Sequence, residues 1–537
     1  MKQILLKIIR DSNKWSIILL TIVLFVSIPI LSIAINAFNG PGESWHHIVQ
    51  NMLPNYLKNS FWLVFGTSFL TLFFGISSAW IVSRYQIPFV KQLQWLLILP
   101  LAIPSYITAY AYAGFFDYAG FFEKITGFRA DIMNIYGLIF ILSVSLYPYV
   151  YVASRAFFVN QSNNIIEASK ILGASERKIF FKLILPLARP AFIGGLILVI
   201  MEVLNDYGAA KYYGINTFTT GIFRAWFSLE EPETAIYLSV ILLVTILSFI
   251  ILEKKQRKNT AYFNSIKNHT EVRKLTPSKK WKCILLFVTI LPFLLGFIIP
   301  LIQLLFWAFL TYKDVFTVTF FTTALQSFGI SLVSAICTVF FALIFIYASK
   351  WNRLQLLKSF EKIGILGYAI PGAVIAVGIL IPSLFLDKSI VLFFKNTLDI
   401  KIGFLINGTV LILIYAFIIR YLAVAYSPIE ASSLKLNNTL VDASKLLGKS
   451  NIFTFFKIEL PMLKPAILSG CILVFVDVMK ELPLTLILKP YHINTLAVKA
   501  YEYASDELIA EAALPSLFII ATGILPIVFL NRLISKS

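Results

Sequence analysis

Charged residues are scarce in this sequence, at 14% of 537 residues. A soluble chain of this length usually has about 25% charged residues, so a soluble enzyme fold is excluded. Disorder is excluded too, because apolar runs of about 20 residues recur from one end of the chain to the other. With 58% hydrophobic residues and a mean hydropathy of +0.82, the composition is that of a membrane protein.

Cysteine, histidine and phosphate-binding motifs are equally sparse. The three cysteines stand alone, so neither a disulfide framework nor a Cys-x-x-Cys metal site is available. Neither Gly-x4-Gly-Lys-[Ser/Thr] nor a helix-opening Gly-x-Gly-x-x-Gly occurs, so the chain is not itself an ATPase. The four histidines lie outside the apolar runs, which argues against intramembrane haem. No cofactor is expected, and His46 with His47 is the one candidate for a surface metal.

The apolar runs predict an all-α polytopic membrane protein with twelve transmembrane helices. They lie near 15–38, 57–83, 93–115, 134–154, 191–210, 235–252, 283–310, 324–348, 363–386, 403–427, 466–488 and 508–530. Lys and Arg are about threefold more frequent in the loops on one side than on the other. The positive-inside rule therefore predicts that both termini are cytoplasmic.

The most basic loop, 253–282, contains ten Lys and Arg and lies almost midway along the chain. It predicts a cytoplasmic linker (254–282) between two six-span halves, 1–253 and 283–537. The linker's main role is expected to be topological anchoring, with binding of anionic membrane lipid or a partner as the alternative. Because the +19 net charge is concentrated in such loops, no nucleic-acid partner is expected.

An internal repeat relates the two halves. Residues 167–191, EASKILGASERKIFFKLILPLARPA, recur at 442–466 as DASKLLGKSNIFTFFKIELPMLKPA, displaced by 275. A weaker repeat, displaced by 267, pairs Ala102-Ile103-Pro104 with Ala369-Ile370-Pro371. Since each half has an even number of spans, we expect two parallel halves related by a pseudo-twofold axis along the membrane normal.

The repeated segment falls in a cytoplasmic loop of each half, about 160–190 and 435–465. Its pattern predicts a short amphipathic helix, followed by a tight turn at Gly173 and by proline interruptions. The helix would group four apolar side chains: Ile166, Ala168, Ile171 and Leu172. Two equivalent elements of this kind predict docking to a symmetric pair of cytoplasmic partners.

The motif E-A-S-x3-G-x9-L-x-L-P at 167–186, and D-A-S-x3-G-x9-I-x-L-P at 442–461, resembles the EAA loop of binding-protein-dependent ABC transporter permeases. The resemblance implies coupling helices that bind two copies of a cytoplasmic ATP-binding subunit. It also implies a periplasmic or surface substrate-binding protein, and localisation in the bacterial inner membrane. The coupling residues it implies are Glu167, Ala168, Gly173, Asp442, Ala443 and Gly448. Asp442 departs from the family's Glu and has a shorter reach.

Two further segments, 201–227 and 474–507, resemble the ferric-ion permease subfamily. The expected function is therefore the permease subunit of an importer, with ferric iron as substrate and ATP hydrolysis on partner subunits. Related fused permeases for thiamine or phosphonates share this architecture and stay open as alternatives. A twelve-span secondary transporter is a further rival, but its usual loop motif after the second span is absent, and a membrane enzyme lacks any nucleophile cluster.

Four acids at span ends form a candidate ion path: Glu202, Asp206, Asp477 and Glu481. Each half contributes two acids four residues apart, which would share one face of a helix, and the two pairs are displaced by 275. Carboxylates suit a hard cation such as Fe³⁺, and Tyr207 and Tyr212 could add phenolate oxygens. The competing interpretation is that three cations neutralise these acids and hold helix ends together: Lys211, Arg224 and Lys480.

Overall fold

The computed structural model describes residues 13–118, 120–160, 163–258, 274–352, 364–436 and 438–534. The apolar runs form helices, as expected where lipid offers no hydrogen-bond partner to the backbone. Within the described ranges, the extended pairing is an isolated parallel bridge between Tyr85 and Leu275. The prediction of an all-α polytopic protein is confirmed.

The helices of the first half are α1 (Lys14–Asn36), α2 (Trp45–Asn51), α3 (Leu53–Arg84), α4 (Val90–Leu96), α5 (Ser105–Phe115), α6 (Phe121–Thr126), α7 (Ile135–Asn160), α8 (Asn163–Ile171), α9 (Glu176–Ile179), α10 (Leu185–Asn205), α11 (Gly208–Tyr212), α12 (Phe218–Phe223) and α13 (Pro232–Lys258). Those of the second half are α14 (Lys279–Phe293), α15 (Ile299–Val315), α16 (Val318–Trp351), α17 (Gly372–Leu398), α18 (Val410–Lys435), α19 (Asn438–Leu446), α20 (Asn451–Thr454), α21 (Leu460–Met479), α22 (Pro483–Leu488), α23 (Leu496–Ser505) and α24 (Ala513–Ile534). Turns of 3₁₀-helix occupy Ala37–Asn39, Leu99–Ala102 and Leu366–Ala369, and π-helical turns occupy Phe180–Ile184, Arg224–Ser228, Leu294–Ile298 and Phe455–Glu459.

Ten helical segments of the described chain are long and apolar enough to cross a membrane. An eleventh candidate is a bent pair, Val90–Ala102 with Ser105–Phe115, whose two parts meet at 90°. The segment Ala513–Pro526 is apolar but shorter. The number of twelve spans is consistent with this set and stays a prediction.

The bend in the third predicted span, 93–115, has a cause in the sequence. Ile103 is extended, with ψ 116°, and Pro104 follows with φ −55°. Proline has no backbone N–H and disfavours a helical residue before it, so the helix stops and restarts. The repeat behaves identically, since Ile370 has ψ 129° and Pro371 has φ −55°.

Contacts divide the described residues into two compact units. One contains the described parts of 1–41, 235–237 and 318–498, and the other those of 42–234, 238–317 and 499–537. The first helix of each half therefore packs with helices of the other half. Tyr415 in α18, for example, donates a 2.7 Å hydrogen bond to the carbonyl of Phe25 in α1. The predicted boundaries at 253 and 283 are not tested by this grouping. Most of the linker, 259–273, lies outside the described residues, as do 1–12, 119, 161–162, 353–363, 437 and 535–537.

Small residues bring the long helices of each unit close together. A Cβ at Gly75 in α3 would lie 2.7 Å from Cβ of Val150 in α7. A Cβ at Gly195 in α10 would lie 2.8 Å from the Cα of the same Val150. Gly470 in α21 faces Ala425 in α18 in the equivalent way, at 3.4 Å from its Cα. Such close approaches are typical of helix packing in membranes.

Candidate functional site

The repeated sequence forms the same structure twice. We call residues 163–184 repeat element 1 and residues 438–459 repeat element 2. Each begins with a nine-residue helix (α8 or α19), followed by a glycine turn, a four-residue helix (α9 or α20) and a five-residue π-helical turn. π-helical turns are rare and occur frequently at functional sites. The two π turns are displaced by 275 residues, the same interval as the sequence repeat.

The glycines end their helices in a left-handed backbone conformation. Gly173 has φ +76° and Gly448 has φ +74°. In element 1 the N–H groups of Gly173 and Ala174 bond to the carbonyls of Lys170 and Ser169, which is the Schellman arrangement. In both turns the space around the missing Cβ is open. Glycine is therefore needed for its backbone conformation and not for close packing.

The apolar residues predicted to cluster in α8 are separated in the structure. Ile166 is buried at 2% exposure, whereas Ile171 and Leu172 are each 86% exposed. Element 2 repeats the exposed pair, with Leu446 at 88% and Leu447 at 78%. Two bulky apolar residues before each left-handed glycine thus protrude from the protein. The sequence signal for this pair was the I-L-G and L-L-G repeat, whereas helical periodicity grouped it with Ile166 on one apolar face.

Four further predicted coupling residues lie on the same short helices and are exposed: Glu167, Ala168, Asp442 and Ala443. Their docking role is not tested by the geometry and stays a prediction. Together with the protruding apolar pairs, they give each repeat element a surface that combines one acid with two large apolar side chains.

Each repeat element is fastened to the end of a long helix by an aromatic contact at equivalent positions. The rings of Trp80 in α3 and Phe180 lie 4.9 Å apart, and those of Tyr347 in α16 and Phe455 lie 4.3 Å apart. Trp80 precedes Tyr347 by 267 residues, and Phe180 precedes Phe455 by 275, the two displacements of the sequence repeat. A force on either element would therefore reach a membrane helix directly.

The ion pairs that support these contacts differ between the two copies. Glu176 of element 1 pairs with Lys170 at 2.5 Å, and Arg84 at the end of α3 lies 3.9 Å from it. In element 2 the buried Glu459 pairs with Lys350 in α16 at 3.1 Å.

In each half, the two candidate ion-path acids do not lie within one continuous helix, which differs from the prediction. Helix α10 ends at Asn205 and α21 ends at Met479, so Asp206 and Glu481 follow their helices. The four-residue spacing therefore spans a helix end in each half, and a shared face stays a prediction. The backbone at Asp206 is extended, with ψ 125°, and in the second half Pro483 begins a new short helix.

Asp206 and Glu481 accept hydrogen bonds at the start of the next short helix. Asp206 accepts from the Ser105 hydroxyl at 2.6 Å and from the Ala210 N–H at 3.0 Å. Glu481 accepts from the N–H groups of Leu484 and Thr485 at 3.0 and 2.9 Å, and from the Thr485 hydroxyl at 2.8 Å. Both carboxylates thus cap short helices, α11 and α22.

The second half has a glycine where the first has Ser105. A Cβ at Gly372 would lie 2.6 Å from Nη1 of Arg420 and 2.8 Å from Oε1 of Glu481. Gly372 is displaced by 267 from Ser105. Because Gly372 has no side chain, the buried side chains of Arg420 and Glu481 both extend into the space that a Cβ would occupy.

Glu202 and Asp477 lie inside α10 and α21 and are partly exposed. Asp477 pairs with Lys480 at 2.8 Å, which agrees with the helix-end salt bridge weighed as an alternative. Lys211 and Arg224 instead line a cavity whose walls contain no carboxylate.

The side chains predicted as possible metal ligands contact aromatic rings or amide groups. Tyr207 stacks on Phe223 at 3.7 Å, and Tyr212 lies edge-on to Tyr110 at 4.6 Å. His46 contacts the Gln50 amide at 2.8 Å and His47 contacts the Asn51 amide at 3.1 Å. Among the residues described, no group of three or more His, Cys, Asp or Glu is arranged to hold a metal ion.

Comparison with known proteins gives a match to the family described as binding-protein-dependent transport system inner membrane component. The match occurs twice, over residues 71–254 and 356–537. The chain is 25% identical over 524 residues to the Fe(3+)-transport system permease protein FbpB 2 of Haemophilus influenzae, covering 96% of this chain and 97% of that protein.

Two further relatives align with a smaller share of this chain. The ferric transport system permease protein FbpB of Actinobacillus pleuropneumoniae is 24% identical over 86% of this chain and 69% of its own length. The sulfate transport system permease protein CysT of Salmonella typhimurium is 24% identical over 40% of this chain and 81% of its own length.

Proposed function

Because the chain belongs to the family of binding-protein-dependent transport system inner membrane components, we propose that it is the fused permease subunit of an ABC importer for ferric iron. A single chain with both family matches would form both halves of the pathway. The chain itself is a transport component and not an enzyme. The energy would come from ATP hydrolysis on separate subunits, because the sequence contains no phosphate-binding loop of its own.

The doubled repeat element is the observation that carries the coupling part of the proposal. Two elements of equal geometry, each with an exposed apolar pair, support docking of two copies of one ATP-binding subunit. Apolar side chains exposed at 78–88% are costly in water and favour a partner surface. The aromatic contacts Trp80–Phe180 and Tyr347–Phe455 would carry movement of the ATPases to α3 and α16.

Ferric iron as the substrate is supported by the share of this chain that each relative aligns with. The relatives named for ferric transport align with 86–96% of the chain, whereas the sulfate permease aligns with 40%. A substrate-binding protein, periplasmic or attached at the surface, would deliver the ion to the side of the membrane opposite the repeat elements. Thiamine and phosphonate stay as alternative cargoes; membership in this family removes the secondary transporter.

Of the four candidate acids, we assign the main ion-path role to Glu202 and Asp477. These two acids lie within membrane helices, where ionisable residues commonly mark a substrate path. Asp206 and Glu481 already serve as helix caps, and their charge would add to the local negative potential without their moving. The Asp477–Lys480 pair would have to open, or remain at the edge of the path, as the ion passes.

The positive-inside bias supports an orientation with both termini and both repeat elements in the cytoplasm. This placement agrees with docking of soluble ATPases at the repeat elements.

Uptake by proteoliposomes tests the proposal. The vesicles contain the chain with its ATP-binding subunit and receive the cognate binding protein loaded with ferric iron, thiamine, phosphonate or sulfate. We expect accumulation of ferric iron alone, and only with hydrolysable ATP. Accumulation of another solute with no ferric uptake would contradict the substrate, and uptake without ATP would contradict the coupling.

A further inference from the structure

A cavity of about 270 Å³ lies beyond the end of α10 that is remote from repeat element 1. Its walls come from α11, α12 and the segments that follow them. They include Lys211 and Arg224, together with the polar residues Asn216, Thr220 and Ser228. None of the ten lining residues is acidic. Two cations therefore face one polar space without a carboxylate in its walls.

The contacts of Arg224 leave much of its charge uncompensated. One guanidinium nitrogen lies 3.6 Å from the Met52 sulfur and another lies 3.2 Å from the Asn216 side-chain oxygen. Both acceptors are neutral, and a guanidinium has five N–H donors. In the described part of the chain, neither Arg224 nor Lys211 forms an ion pair with a carboxylate. Asp206, the acid nearest to Lys211 in sequence, accepts from Ser105 and Ala210 instead.

The second half differs from the first at one of the two cations of this cavity. The tripeptide Ile-Asn-Thr occurs at 215–217 and again at 493–495, and its threonine precedes a helix in both halves. This displacement of 278 puts Glu502 in the place of Arg224. Glu502 lies 3.7 Å from Lys499. The same displacement puts Lys489 in the place of Lys211. The second half thus has one acid and one base where the first has two bases.

We propose that this cavity binds a small oxyanion, of the phosphate, sulfate or carboxylate class. An arginine fork binds two oxygens of one such group, and a lysine adds a second positive point charge. The volume is several times the roughly 30 Å³ that one water occupies in the liquid, so an oxyanion fits with part of its hydration. A ferric ion is repelled by the same two charges. The oxyanion site is therefore distinct from the proposed path of a ferric ion.

Binding of labelled inorganic phosphate and sulfate tests the site in the intact chain, purified in lipid nanodiscs with its ATP-binding subunits and with chloride as the only other anion. We expect saturable binding of about one oxyanion per chain. Arg224→Gln and Lys211→Gln should each weaken it at least tenfold. Lys499→Gln is the matched control in the second half and should leave it unchanged.

Arg224→Lys separates charge from geometry, because it keeps the cation and removes the fork. It should bind more weakly than the wild type and more tightly than Arg224→Gln. Lys211 is exposed, so Lys211→Gln should still fold and gives a result even where Arg224→Gln does not assemble. The absence of saturable binding of both anions to the wild type, or equal binding by wild type and Lys211→Gln, would overturn the proposal.

Discussion

Lys350 and Glu459 form an ion pair, with 3.1 Å between Nζ and Oε1, that joins the end of α16 to the π turn of repeat element 2. The Glu459 side chain is 3% exposed, and Lys350 is 34% exposed. The first half has Ser83 and Ile184 at the equivalent positions, so this ion pair has no counterpart there. The two copies therefore keep one geometry with different chemistry.

This pair gives the first prediction. Glu459→Ala should lower the stability of the purified chain by about 1–3 kcal/mol, because it leaves the Lys350 ammonium without its charged acceptor. The double change Lys350→Ser with Glu459→Ile installs the residues of the first half and should recover most of the loss. Thermal unfolding in detergent measures both, and an unaltered midpoint for Glu459→Ala would contradict the structural role of the pair.

The glycine turns of the repeat elements give the second prediction. Gly173→Ala and Gly448→Ala should each destabilise the turn by about 1–2 kcal/mol, because an L-residue is strained in the left-handed region. Amide exchange in α8 or α19 should then be roughly 5- to 30-fold faster. Asn tolerates this conformation, so Gly173→Asn should be milder.

Gly194 in α10 is the control for this series, since it is helical and has open space around its Cβ position. Gly194→Ala should not accelerate exchange in α8. Exchange rates that do not differ between Gly173→Ala and the wild type would show that the turn does not need glycine.

The acids near the ends of α10 and α21 give the third prediction. Glu202→Gln with Asp477→Asn should abolish ferric uptake while the chain still assembles with the ATPase, because a triply charged ion needs fixed negative charge along a low-dielectric path. Glu43→Gln, at an exposed site, is the control. Normal uptake by a stably expressed double mutant would refute the ion path.

The capping acids should respond differently. Asp206→Ala leaves the Ser105 hydroxyl and the Ala210 N–H without their acceptor, at a cost of about 1–3 kcal/mol. Asp206→Asn retains a carbonyl acceptor and should preserve most of the stability. Equal unfolding midpoints for Asp206→Ala and the wild type would rule out the cap.

A pH-dependent contact outside the spans gives the fourth prediction. Glu231 accepts from the Ser44 hydroxyl at 2.6 Å and from the Thr234 hydroxyl at 2.7 Å, and these bonds lower its pKa below the ordinary 4.5. Because the pKa is lower in the folded state, the stabilisation is complete above pH 4.5 and is lost as the pH falls through the lower value.

Amide exchange at Ser44, corrected for intrinsic rates, should therefore lose protection as the pH falls below 4.5. Glu231→Gln should remove this pH dependence. An identical corrected profile in both proteins would contradict the assignment to Glu231.

The membrane fold was predictable from the sequence because hydropathy and charge bias follow directly from the solvent. The repeat was predictable as well, since 167–191 and 442–466 are identical at 13 of their 25 positions. The ends of α10 and α21 were not predictable in this way. A spacing of four residues implies a shared helix face only while the helix continues. The two helices end before Asp206 and Glu481, whose carboxylates accept hydrogen bonds from backbone N–H groups of the next helix.

Two other features depend on contacts between distant parts of the chain. Helix α1 packs beside α17, where the absence of a side chain at Gly378 leaves room for the backbone of Pro29. No local sequence pattern predicts that the first helix packs against a helix of the other half. The exposed pair Ile171 and Leu172 was assigned to an apolar face because periodicity cannot distinguish a face that meets the protein from one that awaits a partner.

The stoichiometry of the complex tests the central claim, that one chain docks two ATP-binding subunits through its two repeat elements. Native mass spectrometry of the nucleotide-free complex should give one chain with two ATP-binding subunits. Ile171→Asp with Leu172→Asp should leave one subunit bound, and so should Leu446→Asp with Leu447→Asp. All four changes together should leave none, and Ile125→Asp, at another exposed apolar site, should leave two. Two subunits still bound to the fourfold variant, or none bound to the wild type, would contradict the account.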